Sequence, residues 1–254
     1  MATNLHGKKA LVTGAARRIG RQISLALADR GVDVALSFHR SEQEIRKTEE
    51  DLRAKKVEAA SYKADLTDLD DCDLLIDRVC SRFGNVDILV NNASDFPQTK
   101  LNELNTDRAR FALQFDTLSR LHMRAPLYLG MRLGLQMKQQ GWGRIVNITD
   151  RVIVKGQAYP HWILYLGTKY GLYGLTQALA VELSPEVTVN SIAPGLAIPP
   201  LGMEPQEVQR LRENIPLRKE AGAEEIAEDV IYLIQSSAKT GSVVVTDGGS
   251  SVQG

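Results

Sequence analysis

The feature that narrows the fold most is an alternation that runs the length of the chain. Short apolar runs over residues 8–13, 32–38, 57–63, 86–91, 144–149, 187–192 and 242–246 suit buried strands. Between them lie stretches with apolar residues at helical spacing: 19–30, 41–54, 69–83, 105–118, 119–140, 165–183 and 223–236. Gly14 breaks the first run, Gly31 closes the first helix, and Ser41 stands where it could cap the second. Strand and helix taking turns predict an α/β fold, a doubly wound parallel sheet with helices on both faces. The segment after Pro194-Gly195 reads as irregular and Pro-rich. No linker or shift in composition divides residues 1–254, so one Rossmann-like domain is expected.

The remaining bounds exclude several classes of function. Lys plus Arg and Asp plus Glu number 31 each, so no charge excess points to nucleic acid or to an anionic membrane. No window approaches the apolar length of a membrane span, and residues 1–9 contain no apolar run of a signal peptide. Cys72 and Cys80 lie on one helical stretch, about 12 Å apart, too far for a disulfide. They have no metal-ligand spacing, and no metal is expected. A cytoplasmic, reducing setting follows as the expectation.

In a sheet of this kind ligands bind beyond the carboxyl ends of the strands. After the first strand comes Thr13-Gly14-Ala15-Ala16-Arg17-Arg18-Ile19-Gly20. Gly14 permits a tight turn, the two alanines permit close approach, and Gly20 permits helix to lie on sheet. The helix start then offers N–H groups to a pyrophosphate. A Gly-poor turn of this sort also occurs in proteins that bind nothing. The second strand ends in His39-Arg40-Ser41, without the carboxylate that would favour NAD. A guanidinium there matches a phosphate, which favours NADP(H); the bland alternative is an exposed Arg before a helix. Asp65, followed by Leu66, either accepts from an adenine amino group or caps the next helix. Asn92, Ala93 and Ser94 follow the fourth strand, and Pro194-Gly195 turns the chain after the sixth.

Tyr165 and Lys169, four residues apart, share one helix face. A fixed ammonium beside a phenol favours the phenolate, which makes the Tyr a proton donor of tuned strength. An amphipathic helix that happens to carry both residues is the competing reading. Together, Thr13-Gly14 to Gly20, Asp65, Asn91-Asn92-Ala93, Tyr165 to Lys169, Pro194-Gly195 and Asp247-Gly248-Gly249 resemble the short-chain dehydrogenase/reductase family over nearly the whole chain. The resemblance implies Tyr165 as proton donor. It implies Lys169 as the group that tunes it and holds the nicotinamide ribose. Gly14, Arg18, Ile19, His39, Arg40, Ser41, Asp65, Leu66, Asn92, Ala93, Ser94, Pro194 and Gly195 are then the expected cofactor residues. A homotetramer is also implied, built on helices 105–140 and 165–183.

Departures from the family pattern carry the finer expectation. Arg18 replaces the middle glycine of the loop, Asp150 stands where the family has Ser, and His122 aligns with the family's Asn. With His39-Arg40-Ser41, Ser94 and Phe96, they resemble the pteridine reductase branch, including the dihydromonapterin reductases. One spacing departs: Tyr165 follows Asp150 by fifteen residues, about two more than that branch, and the surplus falls in residues 156–162. The expected substrate residues are Arg18, Ser94, Phe96, Asp150 and Tyr165. Phe96 is expected to stack on a flat pterin, Arg18 to donate to the pterin and reach the cofactor phosphate, and Asp150 to orient Tyr165 or relay its proton. Packing is the alternative for Phe96, a turn cap for Asp150, and a satisfied core residue for His122. Tyr159, His161 and Trp162 are expected at the pocket mouth, and Trp142 in turn packing. Reduction of a dihydropterin, with dihydrofolate as a secondary substrate, is therefore the leading expectation. Reduction of a small keto-ester or keto-sugar is the alternative within the family. An NADPH-sensing protein without turnover is the alternative outside it.

Overall fold

The computed structural model describes residues 3–155, 158, 160–199 and 203–252. Seven strands form one sheet in the order β3-β2-β1-β4-β5-β6-β7, with every neighbouring pair parallel. The strands are β1 (Lys9–Val12), β2 (Asp33–Phe38), β3 (Ala59–Lys63), β4 (Ile88–Asn91), β5 (Gly143–Ile148), β6 (Val187–Pro194) and β7 (Val243–Thr246). On β1, Ala10 and Val12 face one apolar layer and Leu11 the other. Val34 and Leu36 against Ala35, and Ile88 and Val90 against Leu89, repeat that split. Successive strand side chains point to opposite faces. Both faces are thus covered, which is why these strands read as continuous apolar runs rather than alternating ones.

Helices α1 (Arg18–Ala28), α2 (Glu42–Arg53) and α10 (Ala223–Gln235) cover the first face, through Ile23, Leu27, Ile45, Leu52, Ile226 and Val230. On the second face lie α3 (Leu69–Phe83), α6 (Ala125–Gln139) and α8 (Ile163–Glu182), through Leu75, Val79, Leu129, Leu133 and Leu179. Leu36 is fully buried, and truncating a site of that kind to Ala costs about 2–5 kcal/mol. The order of strands places a switch point between β1 and β4, where successive connections leave toward opposite faces.

The helical stretches expected at 105–118 and 119–140 divide differently. α4 (Leu101–Thr106) and α5 (Arg108–Ser119) come first, then a π-turn at Arg120–Arg124, then α6. Pro126 lies in the first turn of α6 and has no N–H to give the His122 carbonyl, the bond a continuous α-helix would make. The wider turn resolves that conflict, and turns of this type recur at functional sites. Two short helices were not expected: α7 (Val152–Lys155) and α9 (Pro205–Glu213), the latter inside the segment read as irregular. Ser41 does stand at the start of α2, but its side chain makes no cap bond.

Candidate active site

The loops after β1 and β4 meet at the switch point. Thr13 Oγ1 accepts from the N–H groups of Asn92 (2.9 Å) and Ala93 (3.0 Å), and the Asn92 amide donates to the carbonyls of Thr13 (2.9 Å) and Gly14 (3.0 Å). There is no room for a side chain between them. A Cβ on Gly14 would lie 2.8 Å from the Ala93 Cα, and one on Gly20 would overlap the Gly14 carbonyl oxygen. Arg18 keeps the left-handed backbone (φ 55°) that glycine adopts without penalty. The turn therefore keeps its shape although the glycine is gone. Its guanidinium donates to the carbonyls of Ile198 (2.8 Å) and Pro199 (3.3 Å), strapping the start of α1 to the segment after β6. Burial, and then the charge of Arg17, lower its pKa.

Further along the same edge, His39 and Arg40 are exposed after β2, and the Arg40 guanidinium makes no ion pair among the described residues. His39 Nε2 lies 3.9 Å from Asp65 Oδ2. Asp65 Oδ1 accepts from the Thr67 N–H (2.9 Å) and hydroxyl (2.8 Å), while Asp68 caps α3 through the Asp70 N–H. The capping alternative for Asp65 is thus taken by Asp68. Burial raises the Asp65 carboxyl, but the Thr67 bonds and the nearby His39 and Arg40 outweigh it and hold the pKa below its usual value. Leu66 is buried in the core beneath this edge, and Ile19 packs against the opposite layer. At the far side, the Pro194 carbonyl accepts from the Arg151 N–H (3.0 Å), and a Cβ on Gly195 would lie 2.6 Å from the Asp247 Cβ. Two backbones closed to side chains, a helix start and an unpaired guanidinium form a cradle that fits a dinucleotide carrying an additional phosphate.

Tyr165 and Lys169 lie on α8, which a buried polar chain ties to the sheet. Asn91 donates to Asn147 (2.8 Å), Asn147 to Thr176 (2.9 Å), and Thr176 to the Leu172 carbonyl (2.8 Å). The Tyr165 hydroxyl donates to Asp150 Oδ2 at 3.1 Å. Asp150 Oδ1 accepts from the Val152 N–H at 3.1 Å, so this carboxylate both caps a turn and faces the phenol. Lys169 Nζ donates to the Ile148 carbonyl (2.9 Å) and lies 5.6 Å from the Tyr165 ring centroid. Burial pushes its ammonium down to about 8, against the opposing pull of Asp150.

The Phe96 ring stands edge-on to Tyr165 (centroids 4.5 Å apart, 83°) and stacks on Trp162 (5.0 Å, 15°). Among the described residues expected at the pocket mouth, Trp162 is the one stacked on Phe96. His161 meets Thr99 through its carbonyl, whereas Tyr159 and residues 156–157 lie outside the described residues. Ser94 is exposed, and its hydroxyl lies 3.0 Å from His122 Nε2. His122 is buried, as its core alternative required, with both ring nitrogens engaged. Trp142 packs in its turn between Lys8 (4.2 Å) and Arg144 (4.4 Å). Thr168 and Asn147 had no expected role. Thr168 lies three residues from Tyr165, one helical turn, which is the signal that could have found it.

A tyrosine and a lysine one turn apart, beside a glycine-tight cradle on a doubly wound sheet, is an arrangement that known proteins share. The short chain dehydrogenase family pattern matches residues 8–208. The chain belongs to the short-chain dehydrogenase family. A 3-oxoacyl-[acyl-carrier-protein] reductase, FabG, of Staphylococcus epidermidis is 34% identical over 247 residues, covering 95% of this chain and 98% of its own length. Among solved structures, FolM alternative dihydrofolate reductase 1 of Brucella canis, complexed with NADP, superimposes with a TM-score of 0.89 at 30% identity. That match covers 100% of this chain and 97% of the other. A short-chain alcohol dehydrogenase of Sinorhizobium meliloti superimposes with a TM-score of 0.87 at 29% identity, covering 97% of each chain.

Proposed function

We propose that this short-chain oxidoreductase, acting as one domain, uses NADPH to reduce a dihydropterin to its tetrahydro form. The observation that carries the reading is the Phe96 ring set edge-on against Tyr165, whose hydroxyl already meets Asp150. A flat heterocycle taking the place of one ring contact would rest on Phe96 with its edge toward that hydroxyl. The likeness to an NADP complex of an alternative dihydrofolate reductase supports the same substrate class and cofactor.

The nicotinamide that Lys169 and the Pro194-Gly195 turn would hold would supply the hydride taken up by the carbon of a ring C=N bond. Tyr165 gives its proton to the adjacent nitrogen. Lys169 stabilises the phenolate left behind, and Asp150 orients the phenol and relays to it a proton taken from water. Gly14, Ile19, Asn92, Ala93, Pro194 and Gly195 shape the cradle, and Lys169 also takes the ribose. Arg40, with His39 and Ser41 beside it, takes the additional phosphate; Asp65 and Leu66 flank the adenine. Arg18 serves the substrate side through the segment it straps, residues 198–199. Ser94, exposed two residues before Phe96, faces the substrate beside it.

The second reading is reduction of a carbonyl compound, favoured by the FabG relative. NADPH consumption against dihydrobiopterin, dihydromonapterin, dihydrofolate, a 3-oxoacyl thioester and small ketones separates the two, with NADH in parallel. Turnover of the thioester or ketones alone would overturn the pterin reading. NADPH binding without any turnover would leave a sensing role instead.

The apolar side chains left outward on α5, α6 and α8, among them Phe111, Leu113, Met131, Leu135 and Val181, support a homotetramer. Light scattering on the eluting protein should give four times the chain mass. No helix of the described residues is long and apolar enough to cross a membrane.

A further inference from the structure

His122 sits in the π-turn, 1% exposed, and the reduction outlined above makes no use of its ring. Its two nitrogens nonetheless reach two separate parts of the site. Nε2 lies 3.2 Å from the Asp95 backbone nitrogen and 3.0 Å from Ser94 Oγ. Nδ1 lies 2.8 Å from Thr168 Oγ1, and the Thr168 hydroxyl donates to the Tyr165 carbonyl at 2.8 Å. A backbone N–H can only donate, so Nε2 must be an acceptor and the ring proton must sit on Nδ1. Nδ1–H then donates to Thr168, whose own hydrogen is already committed to Tyr165. The bonds run in one direction, from the loop after β4, through the imidazole, to the helix that carries the phenol. Burial, and then the Lys169 ammonium, push the ring's pKa down to about 2, which keeps it neutral and the direction fixed.

Phe96 is the residue after Asp95. We infer that His122 is a positioning residue that holds the Phe96 loop in place beside Tyr165, so that Phe96 stands preset as the platform on which a planar substrate binds. The inference rests on the reading of Phe96 as the platform. Only an imidazole fits the role. An Asn at this position would place its amide near the Nδ1 site and lose the loop, whereas a Gln would place its amide near the Nε2 site and lose Thr168. His122 needs no contact with the substrate, and its effect belongs to substrate binding through Phe96 rather than to proton transfer.

Two measurements test this. The first is the nitrogen NMR spectrum of the wild-type imidazoles at pH 7, with His122→Gln identifying the signal among the four histidines. A neutral ring protonated on Nδ1 is expected; protonation on Nε2 or on both nitrogens would overturn the inference. The second is a double-mutant cycle of His122→Asn and Phe96→Ala, read as separate kcat and KM values. The substrate is the fastest pterin of the panel or, if none is turned over, an aryl ketone, so failure of the pterin reading is recorded separately. His122→Asn should raise KM about fivefold, the size of one neutral hydrogen bond, with kcat and NADPH affinity nearly unchanged. In the Phe96→Ala background it should add less than about twofold. A fall in kcat at constant KM, or two independent effects that multiply, would show that His122 does not act through Phe96.

Discussion

The two walls of the site are built by different means. On the nucleotide wall, Thr13, Gly14, Asn92 and Ala93 are joined by hydrogen bonds of 2.9–3.0 Å that involve backbone at every step, with no space for one more carbon. On the proposed substrate wall, Phe96, Trp162 and Tyr165 meet ring against ring, and Arg18 straps two carbonyls with its side chain. The first wall needs only two polar side chains, Thr13 and Asn92, each held to backbone groups, while the ring contacts depend on the side chains at both ends. The first wall can therefore remain the same across a family while the second is rebuilt for each substrate. Arg18 belongs to both, with a backbone that keeps the shape of a glycine turn and a guanidinium that serves the other wall.

If the walls are separable, substitutions on one should leave the other's ligand alone. The largest effect is expected from Tyr165→Phe. It should lower kcat about 100- to 10,000-fold, the usual worth of a positioned acid, with NADPH affinity within about twofold by fluorescence titration. Retained turnover would move the acid role to Asp150. Next comes Arg40→Ala, which removes a charge-assisted contact and should raise the KM for NADPH roughly 10- to 100-fold while leaving that for NADH alone. Equal changes for both cofactors would remove Arg40 from phosphate recognition.

A third expectation concerns pH. Lys169 is an ammonium below about pH 8 and a neutral amine above it, so its support of the phenolate is present at neutral pH and fades as pH rises. The profile of kcat/KM, which reports groups of the free enzyme, should fall about tenfold per unit above that point. The residual activity of Lys169→Met should lack that limb; a limb that persists belongs to another group. The smallest effect is expected from Phe96→Ala, a roughly three- to tenfold rise in KM for a planar substrate. A matching loss of NADPH affinity would mean that the two walls are not separate.

The same division explains what the sequence revealed. The alternation of strand and helix stretches located all seven strands, because a sheet covered on both faces leaves local, continuous apolar runs. Gly14, Gly20, Tyr165 and Lys169 were legible because sterics and helical spacing dictate them. The break at 120–124 was not, although Pro126 was in view, since a proline allows either a kink or a widened turn. Nor was the Phe96–Trp162 stack, which joins residues 66 positions apart through the rotamers of two side chains. His122 was visible as an oddity, but its partners come from two other segments that only the fold brings together.

The placement of the two tryptophans has an optical consequence. Trp162 is stacked on the proposed substrate platform, whereas Trp142 lies at the opposite end of β5 between two cations. In a Trp142→Phe protein the remaining indole emission comes from the stacked ring alone. Displacing Phe96 from that ring should change its intensity and wavelength within the time of mixing. The protein thus carries an internal dye beside the proposed platform, expected to register the arrival of a ligand that is never turned over.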